Sequence, residues 1–419
     1  MKNPLPTLFL FFTVFLLASS ARAQIQADPQ VLQLPAVGTW NGFNGHLNYV
    51  ECLNRGSATA SLTFDVRDSF GVSLGIRGAS VPAKGTVHFD LNVFAIANSY
   101  GTFLLSSADA ARSAVACWTA VYKLATSGAG KAVQYAFMLP VSNAKYGTYS
   151  GGFNSFNPDG GALPTYNWLS IYNPSTAIFS ATVETYSVDG SSTGSFAVTN
   201  LAAGARQDYP LGHTSTTNGG QILGMYRIVP SSDRQAYGAF VTRYAPDSSA
   251  ANFKFAIPLE AIGGGCSAQP IPISTMDPAT NWLEVVNLAA SSTTVTLDFR
   301  DNLGTALGSQ ILSIPAQAQR HILVNSILGE RNVGQVRLSC SSPDDSLAVQ
   351  SVFYGRVSSS ASTTEWAYAS QSRGRFLTNG ISLAAPLNSN LSMVNWVKSA
   401  NVKSSGVRFA ALVNSVSGA

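Results

Sequence analysis

Two stretches of this chain carry the spacing of a serine nucleophile: Gly71-Val-Ser-Leu-Gly75 and Gly190-Ser-Ser-Thr-Gly194 both read G-x-S-x-G. That pattern lifts a serine onto a sharp strand-to-helix turn and needs an acid and a histidine to follow. His46, His88, His213 and His321 are the residues that could act as base or metal ligand. Asp65 with Asp68, and Asp298 with Asp301, suggest the paired carboxylates of glycoside hydrolysis, which flank a cleft about 5 to 10 Å across. Asp109 and Asp344-Asp345 are the nearest approach to a calcium loop, and no D-x-D-x-D-G run accompanies them. Rings beside amides offer a different chemistry. Gly38-Thr-Trp-Asn-Gly-Phe-Asn44 is similar to Gly147-Thr-Tyr-Ser-Gly-Gly-Phe-Asn154, and each precedes a repeated unit. Flat rings next to Asn side chains can stack on sugars while the amides bond the hydroxyls. Trp40, Phe43, Tyr149, Phe153 and Phe156 are then the ligand-binding candidates. The competing reading, which we favour, has these rings filling the joint between neighbouring domains.

An internal repeat weighs all of these candidates. Asn-aromatic pairs recur at Asn48-Tyr49, Asn167-Trp168, Asn281-Trp282 and Asn395-Trp396, in steps of 119, 114 and 114 residues. Asn54, Asn173, Asn287 and Asn401 keep the same register, as do Gly71, Gly190, Gly304 and Gly418. A residue that returns in every copy serves the fold before it serves a reaction. Both serine motifs occupy one repeat position, where the third copy reads Gly304-Thr-Ala-Leu-Gly308: the glycines persist and the serine does not. His88 and His321 share a position with Gln207, and equivalent sites on separate domains do not converge on one metal. Asp65 and Asp298 share a position with Glu184, while Asp68 and Asp301 share one with Ser187 and read as turn residues. His46 and His213 stand alone in loops. The recurring ring at Tyr49, Trp168 and Trp282 reads as a core plug.

The elements that must position these residues are strands. In the third copy Thr293-Thr-Val-Thr-Leu-Asp-Phe-Arg300 alternates with a period of two, which puts Val295, Leu297 and Phe299 on one face. Trp282–Asn287, Ile311–Ile314, His321–Val324, Gln335–Ser339, Ala348–Tyr354 and Trp366–Tyr368 bring the count to about seven short strands. Helical periodicity is confined to a turn or two at Val93–Ala97 and Ile327–Glu330. The expected fold is therefore all-β, in tandem antiparallel immunoglobulin-like β-sandwiches. Repeat 1 covers 24–140, repeat 2 covers 141–260, repeat 3 covers 261–372, and a partial fourth repeat begins a hairpin in 373–419. Two strands bury no core alone, so the hairpin is expected to pack on the third domain, ahead of belonging to a longer array or, third, lending its strands to another chain. The N-x5-N start, Thr-rich strand, D-x-x-G turn and Pro-Ala ending read here as Asn281, Asn287, Thr296, Asp301, Gly304 and Pro315-Ala316. This pattern resembles the immunoglobulin-like repeats of bacterial exported and surface proteins. The resemblance implies architecture and an exported setting, and no particular activity.

Composition agrees with export. Lys2, the apolar run Leu8–Ala18 and Ala21-Arg22-Ala23 form a signal peptide over 1–23, with a mature start at Gln24. The run is too short to anchor in a bilayer, and no later stretch reads as a transmembrane helix. Charged residues are 11% of the chain and the formal net charge is +4, too weak and scattered for a nucleic-acid footprint. Four cysteines in an exported chain favour disulfides, with Cys52–Cys117 and Cys266–Cys340 the pairings that respect repeat boundaries. No cofactor or metal is implied. The expectation is a non-catalytic structural, adhesive or display protein, periplasmic, cell-surface or extracellular, whose partner is a glycan or another surface protein. A glycan-binding module is the second reading and a hydrolase with an unrecognised site the third.

Overall fold

The computed structural model describes residues 36–371, apart from residue 95 and the stretches 108–113, 125–132, 142–143, 248–251, 264–269, 277, 342–346, 357 and 359. The signal peptide, Asp109, Cys266, Asp344-Asp345 and the fourth repeat lie outside the described residues. The first unit consists of β1 (Ala36–Asn41), β2 (His46–Asn54), β3 (Ala60–Asp68), β4 (Ser73–Val81), β5 (Thr86–Asp90), β6 (Tyr100–Ser106), β7 (Val115–Leu124) and β8 (Val133–Pro140). The second has β9 (Tyr149–Asn154), β10 (Tyr166–Tyr172), β11 (Phe179–Ser187), β12 (Ser192–Leu201), β13 (Arg206–Leu211), β14 (Leu223–Pro230), β15 (Gly238–Pro246) and β16 (Phe253–Glu260). The third has β17 (Pro270–Ser274), β18 (Ala279–Asn287), β19 (Thr293–Asp301), β20 (Ala306–Ile314), β21 (Gln319–Leu323), β22 (Val333–Cys340), β23 (Leu347–Gly355) and β24 (Trp366–Gln371).

These strands make six four-stranded antiparallel sheets, two per unit, so the tandem sandwich architecture is present. Strand order is identical in the three units: β1-β6-β3-β4 faces β5-β2-β7-β8, and the other two repeat it. Only the third and fourth strands, and the seventh and eighth, form hairpins within a sheet; every other connection crosses between layers. Each unit holds eight strands against the seven counted from sequence. The overlooked strand is the first. Gly38–Asn44 and Gly147–Asn154, read as aromatic loops, are largely β1 and β9. Their glycines look like turn residues but make room for rings, since a Cβ on Gly38 would lie 2.1 Å from Phe103 Cζ. β17 is disguised by Pro270 and Pro272, which an edge strand tolerates.

The structure explains the recurring asparagines. Asn48, Asn167 and Asn281 are wholly buried, and each Oδ1 accepts a backbone N–H at the end of the first strand of its unit, from Asn41, Asn154 and Ser274. Asn54, Asn173 and Asn287 each donate from Nδ2 to the following turn and to the end of the fourth strand. Buried backbone groups must find partners, and these amides supply them in every copy. The ring after the first asparagine is not a core plug, however. Val50, Leu169 and Leu283 point into the sandwich cores, so the period of two sends Tyr49, Trp168 and Trp282 to the opposite face, half-buried.

Copy two differs by one residue. Gly204 (φ +73°) occupies the turn position held by Lys84 (φ +58°) and Gln317 (φ +56°), although a constant register would put it one place earlier. The β11–β12 ladder slips between Phe179 and Ala181, and Asn200 sits at φ +54° in the extra place. This β-bulge lengthens β12 to 10 residues against 9 in β4 and β20.

Each sandwich has its own core, centred on Phe64 and Phe103, on Phe179 and Tyr237, and on Leu297 and Phe299. Cys52 and Cys117 face each other across β2 and β7 and are disulfide-bonded. Cys340 is disulfide-bonded too. A fourth apolar cluster belongs to no single unit. It joins Val121 and Phe137 of the first sandwich, Phe240 and Tyr244 of the second, and Val352 and Tyr354 of the third. No helix among the described residues is long and apolar enough to cross a membrane.

Candidate functional site

The catalytic candidates separate along the chain. Gly71, Gly190 and Gly304 lie at φ +87°, +92° and +86°, and Gly75, Gly194 and Gly308 at +155°, +138° and +135°. They shape the turn and the bulge that follows it; Ser73 begins a strand and donates to Asp65. Asp68 and Asp301 each accept two backbone N–H groups of the same turn. Among the described residues no group of three or more His, Cys, Asp or Glu side chains could hold a metal.

The histidines resolve differently from their sequence register. His88 stands opposite Glu51, Asp208 opposite Ser170, and His321 opposite Glu284. The copy-two counterpart of His88 and His321 is therefore Asp208, not Gln207, because of the bulge at Asn200. His46 is no loop residue: it opens β2, is buried against Tyr135, Phe137 and Tyr244, and meets the Tyr135 hydroxyl at 2.8 Å. Burial, with Lys123 nearby, lowers its pKa to about 4. His213 packs edge-on to Tyr166 and beside Trp168, while its Nδ1 accepts the Asn167 N–H at 3.1 Å.

The aromatic candidates divide into two groups. Trp40 is 0% and Phe153 3% exposed, so neither ring offers a face to a sugar. Tyr149 is half-buried edge-on to Tyr237, with Lys145 over its ring. Phe43 and Phe156 remain open at 40% and 45%. They occupy one structural position, two residues past the first strand, where their N–H groups donate to Asn41 and Asn154. Met276, 41% exposed, holds that position in the third unit.

The rings of Trp40 and Phe153 belong to their own cores, but their carbonyls sit at the joints. Arg206 of the second sandwich donates to Trp40 O at 3.0 Å while held by Asp208 at 2.8 Å, and its guanidinium lies 5.0 Å from the Tyr100 ring centre. Gln319 of the third sandwich donates to Phe153 O at 3.3 Å and Gly224 O at 2.8 Å. The same backbone contact closes both joints. Arg206 N–H donates to Ser69 O and Gln319 N–H to Val188 O, each at 3.0 Å. Beside them a Cβ on Gly71 would lie 2.2 Å from Ala203 O, and one on Gly190 2.0 Å from Ala316 O. Only glycine fits at this approach.

The second joint also contains the most buried ion pair among the described residues. Arg243 of β15 grips Glu284 of β18 through two bonds of 2.8 and 2.7 Å, with side chains 1% and 0% exposed. Asn154 and Gln350 also donate to Glu284. Burial alone would raise the Glu284 pKa, but Arg243, His321 and Gln350 outweigh it and hold the carboxyl well below the usual range. Neither the Arg206 nor the Arg243 joint was legible beforehand; the one signal was an arginine within an apolar strand, Phe240-Val-Thr-Arg-Tyr244.

No protein-family model matches the chain, and no curated protein matches it. Three solved structures show faint similarity. A β-glucuronidase of glycoside hydrolase family 2 aligns at 10% identity and TM-score 0.11 over 55% of this chain and 24% of that one. A candidate β-galactosidase from Bacteroides fragilis gives 8% identity and TM-score 0.13 over 54% and 33%. The structure of infectious bursal disease virus Gt strain gives 9% and 0.12 over 76% and 72%. The chain thus spans about a third or less of the two sugar-hydrolase structures, and similarity at this level transfers neither fold kinship nor activity.

Proposed function

We propose that this chain is a non-catalytic exported protein of structural, adhesive or display type, in which locked sandwiches hold their end loops at fixed spacing. The supporting observation is the Arg243–Glu284 pair, buried across the second joint beside an apolar cluster fed by all three units. Joints between freely moving domains are more polar and smaller. Small-angle scattering from the purified chain should give one rigid envelope that the three-sandwich arrangement fits, with no turnover of generic ester or glycoside substrates. Independent motion of the units, or measurable hydrolysis, would overturn the proposal.

One observation favours a second reading, glycan capture: an exposed apolar side chain sits at the same place in every unit, as Phe43, Phe156 and Met276. Multivalent weak stacking would then recognise a repeating polymer. Binding to a polysaccharide panel should fall at least tenfold in Phe43→Ala/Phe156→Ala, with stability changed by less than about 0.5 kcal/mol for such surface sites. Trp40→Ala is unsuitable as a control, because removing a buried Trp costs about 3 to 5 kcal/mol.

A further inference from the structure

Strand direction gathers three connections at one pole of the first sandwich: β1 to β2, β3 to β4, and β5 to β6. All three carry apolar side chains into solvent. Phe70 and Val93 are 78% and 68% exposed, and Phe43, Val72 and Ile96 are exposed beside them, with Ile76 of β4 next to the turn. The opposite pole, built from 55–59 and 82–85, exposes no large apolar side chain among its described residues. The three connections touch. Gly42 N–H donates to Ser99 O at 2.8 Å and Asn98 N–H to Gly42 O at 3.0 Å, which ties the first to the third. A Cβ on Gly75 would lie 2.7 Å from Phe94 Cε1, so the β3–β4 hairpin leans on the third as well. Contiguous apolar surface beyond a few hundred Å² marks an interaction site, and these six side chains expose roughly 600 Å².

We infer that this pole inserts its apolar tips into the interfacial layer of a zwitterionic phospholipid bilayer. The inference names a target for the adhesive role proposed above and rests on that role. The backbone donors behind the tips are already used. Asp68 Oδ1 accepts the Phe70 and Val72 N–H groups at 2.9 Å each, Asn41 Oδ1 accepts Phe43 N–H at 2.9 Å, and Leu91 O accepts Phe94 N–H at 3.0 Å. Lipid admits backbone whose polar groups are satisfied internally. Charges at this pole balance among the described residues: Asp68 and Asp90 against Arg77 and Lys123, with Asp65 paired to Arg67 at 2.7 Å. A net-neutral headgroup complements such a surface, and apolar burial then supplies the attraction. A second copy of the chain fits less well. A stable dimer buries about 800 Å² per partner, more than these tips offer from three separate turns. Nor does a sugar fit, because Val72, Ile76, Val93 and Ile96 have no flat ring to stack on one.

Co-sedimentation of the full chain with phosphatidylcholine vesicles tests the inference. Saturable binding is expected, equal at low and high salt because no charge attraction drives it. Phe70→Glu/Val93→Glu should weaken it at least tenfold while leaving the circular dichroism unchanged. If that variant does not fold, a label decides. Phe70→Cys carrying nitrobenzoxadiazole should brighten on vesicle addition, and Ala58→Cys, labelled alike at the opposite pole, should not. Absence of vesicle binding, undiminished binding by the glutamate variant, or equal brightening at both poles would overturn the inference. So would a concentration-dependent dimer that shields the label at 70 without lipid, which would make a second copy the occupant. A rigid scattering envelope without vesicle binding would leave the proposed function standing, so the two can fail separately.

Discussion

Arg243 and Glu284 illustrate what a buried charge does in this molecule. Gln350 and Asn154 add donors to the Glu284 carboxylate, while Arg243 Nε is buried without a hydrogen-bond partner; desolvation offsets much of the pair's attraction, but either partner alone would be an uncompensated charge. Arg243→Ala should therefore destabilise the chain by about 3 to 5 kcal/mol in chemical denaturation. Arg243→Met/Glu284→Gln should recover more than half of that loss, since no naked carboxylate remains. His46 gives the pH dependence. Its folded pKa of about 4 lies below the ordinary 6.5, so the fold favours the neutral ring. That contribution is complete above pH 6.5 and is lost as pH falls towards 4. Burial sets the shift first, with Lys123 adding to it; Tyr135, Phe137 and Tyr244 pack around the ring. At pH 5 the cost is about 2 kcal/mol. Thermal unfolding of His46→Gln at pH 7.5 and pH 5 should show a pH dependence reduced by about that amount, and unchanged dependence would exclude His46 as its source.

Among the elements, the bulge in β12 shows how one residue alters an otherwise strict repeat. It keeps the strand in its ladder by placing Asn200 in the left-handed region, a conformation Asn tolerates and a β-branched residue does not. Asn200→Val should cost roughly 1 to 2 kcal/mol and Asn200→Gly only a few tenths, measured by denaturant titration. Equal effects of the two would mean that backbone conformation is not what selects asparagine there. The first strands make the complementary point. Their glycines were spaced like a loop because the residues that need the space, Phe103 and Tyr226, lie far along the chain.

At the scale of the whole molecule, the two described joints close through the same backbone contact beside a glycine. Gly190 and Gly194 share a turn and both have positive φ, but only Gly190 touches the next sandwich. Gly190→Ala should enlarge the radius of gyration in solution scattering while leaving the β-sheet circular dichroism intact. Gly194→Ala, strained but in open space, should leave the radius unchanged. Identical scattering from the two variants would show that the close approach of Gly190 to Ala316 does not hold the joint.

Period-two alternation and the recurring asparagines, glycines and aspartates were enough to specify an all-β chain of repeated sandwiches, because each acts through neighbours within its own strand or turn. The same register identified the G-x-S-x-G motifs as turns. Linear spacing could not tell a ring that faces solvent from one that faces a core. Trp40 and Phe43 are three residues apart, and strand pairing buries one while a turn exposes the other. Nor could it reveal Arg206 on Trp40 O or Arg243 on Glu284, contacts that join separate sandwiches. A repeat records what every copy shares, whereas a joint depends on how unlike copies meet in space.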